Sequence, residues 1–121
     1  MIFCLRTVRV PAQQRHAFVS WVDENGPLRR HHGILAEIVL ERSARQNPAE
    51  TLQPPGHHDP DELIVLTVWP DHETFDAWIN TPDRDRLTAS ATHQAVEFGP
   101  ITRHDLGAGY LADALSAGGL P

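Results

Sequence analysis

Residues 63–69 read Leu63-Ile64-Val65-Leu66-Thr67-Val68-Trp69 and constrain the fold more than any other segment. The run is apolar at odd and even positions alike, so a strand built from it must be covered on both faces. It is far shorter than the ~20 residues of a membrane span, and Pro70 ends it. Ile2-Phe3-Cys4-Leu5 has the same two-sided character. A chain of 121 residues supports one domain with one real core. Its central strands therefore need a helical layer on one side and something further on the other. A second copy of the same sheet is the simplest cover, and a ligand cavity between sheet and helices is a further possibility.

The remaining segments supply the layers. Residues 2–10 read as a strand, with Val8 and Val10 alternating with Thr7 and Arg9 before Pro11. Residues 12–25 read as a helix, whose Phe18, Trp21 and Val22 form one apolar stripe. Asn25-Gly26-Pro27 reads as its stop. Residues 33–41 alternate as a strand: Ile34, Ala36, Ile38 and Leu40 share an apolar face, while Leu35, Glu37, Val39 and Glu41 share a mixed one. Asp71 is a good N-cap for a helix carrying Phe75, Trp78 and Ile79, and Thr81-Pro82 restarts a helix that runs to about Gln94. Residues 97–106 read as the last strand.

This order is a split βαβ: an α+β, ferredoxin-like arrangement with helices on one face of a four-stranded antiparallel sheet. The domain is expected to span residues 1–110, with a Pro-rich insertion at 43–62 that projects as an arm carrying His57 and His58, and a C-terminal tail at 111–121.

Charge and composition narrow the chemistry. Ten basic against sixteen acidic residues give a net charge of −6, which argues against nucleic acid or an anionic membrane as partner. Every basic residue is Arg, which excludes Schiff-base chemistry. Cys4 is the single cysteine, so there is no internal disulfide or thiolate zinc site, and a cytoplasmic setting is expected. The N-terminus shows no basic leader ahead of its apolar stretch. Eight histidines are present, but none forms a helical His-x-x-x-His pair, so no metal site is expected. His32 and His104 are candidate general bases. Arg6 lies on the face of Cys4, Val8 and Val10, where a guanidinium is costly unless it meets an anionic or phenolate ligand or an ion-pair partner.

The stretch Asp61-Glu62-Leu63-Ile64-Val65-Leu66-Thr67-Val68-Trp69-Pro70-Asp71-His72-Glu73-Thr74-Phe75-Asp76-Ala77-Trp78 resembles the central signature of the antibiotic biosynthesis monooxygenase family. The resemblance implies a dimeric α+β barrel and covers residues 2–106. In the haem-degrading branch of that family, the positions of an Asn, a Trp and an iron-ligating His fall on Arg6, Trp78 and Thr88. In the cofactor-free polyketide branch, those of a Trp, a Tyr and an Arg fall on Trp69, Phe75 and Thr88. The resemblance thus implies a ligand site at Arg6, Trp69, Phe75, Trp78 and Thr88, with the catalytic group unassigned. The activity expected from it is cofactor-independent monooxygenation of a small aromatic or polyketide-like substrate by a homodimer. Haem binding or degradation, and non-catalytic binding of a small apolar ligand, are the alternatives.

Overall fold

The structure, a computed structural model, describes residues 1–41, 60–92 and 95–109. Strand β1 (Ile2–Arg9) leads through a 3-10 turn (Ala12–Gln14) into α1 (Arg15–Glu24) and α2 (Gly26–His31). Then come β2 (Ala36–Leu40), β3 (Glu62–Trp69), α3 (His72–Ile79), α4 (Pro82–Thr92) and β4 (Glu97–Asp105). The strands form one antiparallel sheet in the order β2-β3-β1-β4, the ferredoxin-like arrangement. The doubly apolar β3 and the N-terminal half of β1 pair at its centre, as strands buried on both faces should. Among the described residues no helix is long and apolar enough to cross a membrane.

Local chemistry explains the boundaries. The Asp71 carboxylate accepts from the Thr74 amide at 2.7 Å and starts α3. Thr81 Oγ1 accepts from the Arg84 amide at 3.2 Å and starts α4. Asn25-Gly26-Pro27 ends α1 but does not end helical structure. Pro27 falls in the first turn of α2, where its missing N–H costs nothing, so the chain turns at Asn25 and winds again. The second strand likewise starts later than Gly33. Gly33 has φ +101° after α2, and a Cβ there would lie 2.6 Å from Thr74 Cγ2, so Gly serves both conformation and contact. The projecting arm at 43–62 with His57 and His58, the end of α4 near Gln94 and the tail at 111–121 fall wholly or mainly outside the described residues.

The register fixes which residues meet. Cys4 pairs with Thr67, and Thr67 with Glu37, so Cys4, Arg6, Val8, Val65, Thr67, Trp69, Glu37 and Val39 share the face toward the helices. The wholly apolar side of β2 faces the other way. Ala36, Ile38 and Leu40 join Phe3, Leu5, Ile64 and Leu66 on the open face.

Under the helices the core divides in two. One cluster holds Val8, Val10, Phe18, Trp21, Leu63, Val65, Ala91 and Val96. The other holds Ile2, Cys4, Ile34, Trp69, Phe75 and Trp78. Leu87 on α4 packs against both. On β1 the break between them falls at Arg6, the one charged residue on the inward face of that strand.

Candidate functional site

A cavity of about 80 Å³ lies between sheet and helices, and residues of both clusters line it. Its aromatic wall comes from β3 and α3. The Trp69 ring meets Phe75 edge-on at 5.4 Å and stacks with Trp78 at 6.3 Å. Trp69 Nε1 donates to Thr67 Oγ1 at 3.0 Å, so this indole is fixed and its polar atom satisfied. Behind Trp78, the His32 ring packs at 4.9 Å while its Nε2 lies 3.1 Å from Asp83, which ties the end of α2 to α4.

The polar wall is dominated by guanidiniums. Arg6 Nε and Nη2 both donate to the Gly99 carbonyl, at 3.2 and 3.0 Å, and the group lies 4.8 Å from the Phe98 ring centroid. A bulge sets up this contact. Between the pairs Arg6–Ile101 and Val8–Phe98, β4 carries one more residue than β1. Gly99 sits in that bulge, and a Cβ on it would come within 2.6 Å of Thr7 Oγ1 and 2.9 Å of the Thr7 carbonyl. Burial, and then the nearby charge of Arg84, hold the Arg6 pKa below its ordinary value.

Arg29 is a different case. It is 6% exposed, donates to Glu37 Oε1 at 2.9 Å and to the Val22 carbonyl at 3.2 Å, and covers the Trp21 ring at 4.9 Å. Burial raises the Glu37 carboxyl above the ordinary range, and Arg29 opposes that rise. Burial likewise lowers Arg29, yet a guanidinium starts so high that it stays charged. Burial raises the Cys4 thiol, against a hydrogen bond to Thr67 and the charge of Arg103, so it stays protonated.

All five residues singled out from the resemblance line the cavity: Arg6, Trp69, Phe75, Trp78 and Thr88. Thr88 Oγ1 donates to the Arg84 carbonyl one turn earlier on α4. The two tryptophans are at once core and wall, since Trp69 is 1% and Trp78 7% exposed. Arg6 has no carboxylate partner among the described residues. His104 lies away from the cavity, beside Thr102 at 3.1 Å on an exposed part of β4.

The sequence reading missed Trp21 as a wall, and Arg29, Glu37 and Arg84 altogether. Glu37 alone carried a signal, as an acid facing inward from a strand otherwise rich in aliphatics.

The residues present do not fit haem. Among the described residues no histidine lines the cavity, the position expected to hold the iron ligand is Thr88, and the space is well under the ~300 Å³ of an ordinary ligand pocket.

No protein-family model matches the sequence, and no curated protein matches it. Solved structures do match the fold. A provisionally named antibiotic biosynthesis monooxygenase from Deinococcus radiodurans aligns over 93% of this chain and 98% of its own, at 14% identity and TM-score 0.66. HapK from Hahella chejuensis aligns over 93% and 99%, at 20% identity and TM-score 0.66. A third, provisionally named the same way and from Chloroflexus aurantiacus, aligns over 90% and 95%, at 18% identity and TM-score 0.58. The chain therefore has the α+β fold of the antibiotic biosynthesis monooxygenase structures.

Proposed function

We propose that residues 1–110 form a cofactor-independent monooxygenase domain for a small aromatic or polyketide-like substrate, working as a homodimer in the cytoplasm. The cavity between sheet and helices, walled by Trp69, Phe75 and Trp78 and edged by Arg6, carries this reading. Flat indole and phenyl faces favour a planar ligand, and the guanidinium favours one that becomes an anion. In such a reaction the substrate loses a proton and its carbanion supplies the electrons to O2. A CH2 group becomes C=O, one oxygen atom entering the substrate and the other leaving as water. The protein's tasks are to bind, to stabilise the anion and to keep bulk water out.

The open sheet face supports the dimer. Leu40 and Ile64 are 46% and 41% exposed, and Phe3, Leu5, Ile38 and Leu66 lie half-buried beside them. A second copy would cover this patch. Sedimentation at low micromolar concentration is expected to give a dimer, and a clean monomer of 13.5 kDa would exclude it.

A specific observation favours a second reading, binding without turnover. Among the described residues no free base lines the cavity: the one carboxylate there, Glu37, is engaged by Arg29, and no histidine is on its wall. Oxygen uptake with a phenolic aromatic ketone separates the two. Uptake that is lost in Trp78→Ala and Arg6→Gln supports catalysis. Binding with no uptake supports the second reading.

A further inference from the structure

The hydrogen-bonding groups of the cavity are unbalanced in a way that specifies charge. Among the described residues three arginines line it, Arg6, Arg29 and Arg84, against one carboxylate, Glu37. Arg29 consumes that carboxylate. Arg6 has only the neutral Gly99 carbonyl, and the Arg84 guanidinium has no partner among the described residues. Trp21 also lines the cavity, so its indole N–H resonance can report what enters it. Of the acceptors on the wall, Thr67 Oγ1 takes the Trp69 N–H and Glu37 Oε1 takes Arg29. The chain as a whole carries a net charge of −6, so a positive interior is not a by-product of composition.

We propose that Arg6 and Arg84 form an anion site for two oxygens on a planar carbon frame, a carboxylate or an enolised 1,3-dicarbonyl. Both offer two acceptors and one negative charge in a plane, which suits guanidinium forks. The mutual repulsion of the two cations in a poorly solvated space falls when the anion enters. About 80 Å³ seats such a head group with a few carbons, so the apolar body of a larger ligand displaces lining side chains. The inference rests on the cavity being the ligand site, and it narrows the ligand from flat and apolar to flat and anionic.

Calorimetric titration of the full chain with benzoate, and with neutral benzamide of the same shape, tests it. The Trp21 indole N–H resonance, assigned with Trp21→Phe, reports where each molecule goes. Benzoate is expected to shift that resonance and to bind at least about tenfold tighter than benzamide, the worth of one charge-assisted hydrogen bond. Arg84→Gln breaks no side-chain hydrogen bond or ion pair among the described residues, so it should fold. It should abolish most of this preference while leaving benzamide affinity unchanged, and Arg6→Gln should do the same. Benzoylacetone provides the enolate arm, its longer-wavelength enolate absorption appearing on binding at a pH where the free compound is neutral. Equal affinity for benzoate and benzamide, both moving the Trp21 resonance, would overturn the anion site and leave the cavity as a ligand site. An undiminished preference for benzoate in both Arg variants would also overturn it. If no probe moves any resonance of a lining residue, the cavity reading fails as well.

Discussion

The two faces of the sheet are made from the same four strands and differ in almost every physical respect. The helix side is covered, and it interrupts its own apolar packing with Arg6, Thr67 and Glu37. The open side is an aliphatic patch across β1, β3 and β2, with its large side chains half-exposed. Burying polar groups is unfavourable unless their partners are built in, so the helix side must supply the Gly99 carbonyl, the Arg29–Glu37 pair and the Thr67–Trp69 bond. The open side needs no such partners. The difference teaches that the covered face can hold charge because its partners are built in, while the open face stays apolar and half-exposed.

That contrast can be broken from the inside first. Trp69→Ala removes the largest fully buried side chain, and unfolding by denaturant should show a loss of about 3–5 kcal/mol. Arg29→Leu leaves Glu37 buried without its partner and should cost about 3–5 kcal/mol at neutral pH. Adding Glu37→Leu should restore much of that loss, which a double-mutant cycle measures directly. Gly99→Ala pushes a methyl group into Thr7 and should cost about 1–3 kcal/mol, weakening benzoate binding with it because the carbonyl that anchors Arg6 must move.

Smaller effects sharpen the comparison through pH and assembly. The folded state holds Glu37 above its ordinary pKa, so it binds more protons than the unfolded chain in that window. The Glu37 contribution to stability is therefore full below about pH 4.3 and is lost as pH rises through the folded value. Asp71 has the opposite sign. The Thr74 backbone and hydroxyl hydrogen bonds depress its pKa, so its stabilisation is present above the ordinary carboxylate range and is lost as pH falls. Melting curves from pH 3 to 8 on Glu37→Gln and Asp71→Asn should flatten these two trends separately. On the open face, Ile64→Ser should change the stability of a single copy by no more than about 0.5 kcal/mol, given its exposure, while shifting sedimentation toward the monomer if the proposed dimer forms there.

Much of the fold was legible because its signals are local. A seven-residue run apolar at both parities, an Asp before a polar turn and a Thr-Pro pair each act within a few residues of themselves. The second helix was missed for a related reason. Gly26-Pro27 reads equally as the end of one helix and the start of the next, and only the path of the chain selects between them. The aromatic wall was legible too, through the resemblance at residues 61–78. Of the cationic wall only Arg6 was legible, as a guanidinium on an apolar strand face; Arg29 and Arg84 come from other elements far from it in sequence and are unremarkable one at a time.

By itself, then, the sequence determined the order of strands and helices, the two-sided apolar character of β3 and the inward position of Arg6, since period and capping depend on neighbouring residues. Tertiary structure alone decided which face of β2 meets the helices, that Glu37 belongs to Arg29, and that Arg6, Arg84 and Trp21 share one cavity. Those outcomes depend on strand register, on the extra residue at Gly99 and on the packing of α2 and α4 over the sheet, and such long-range geometry leaves no periodic trace in the chain.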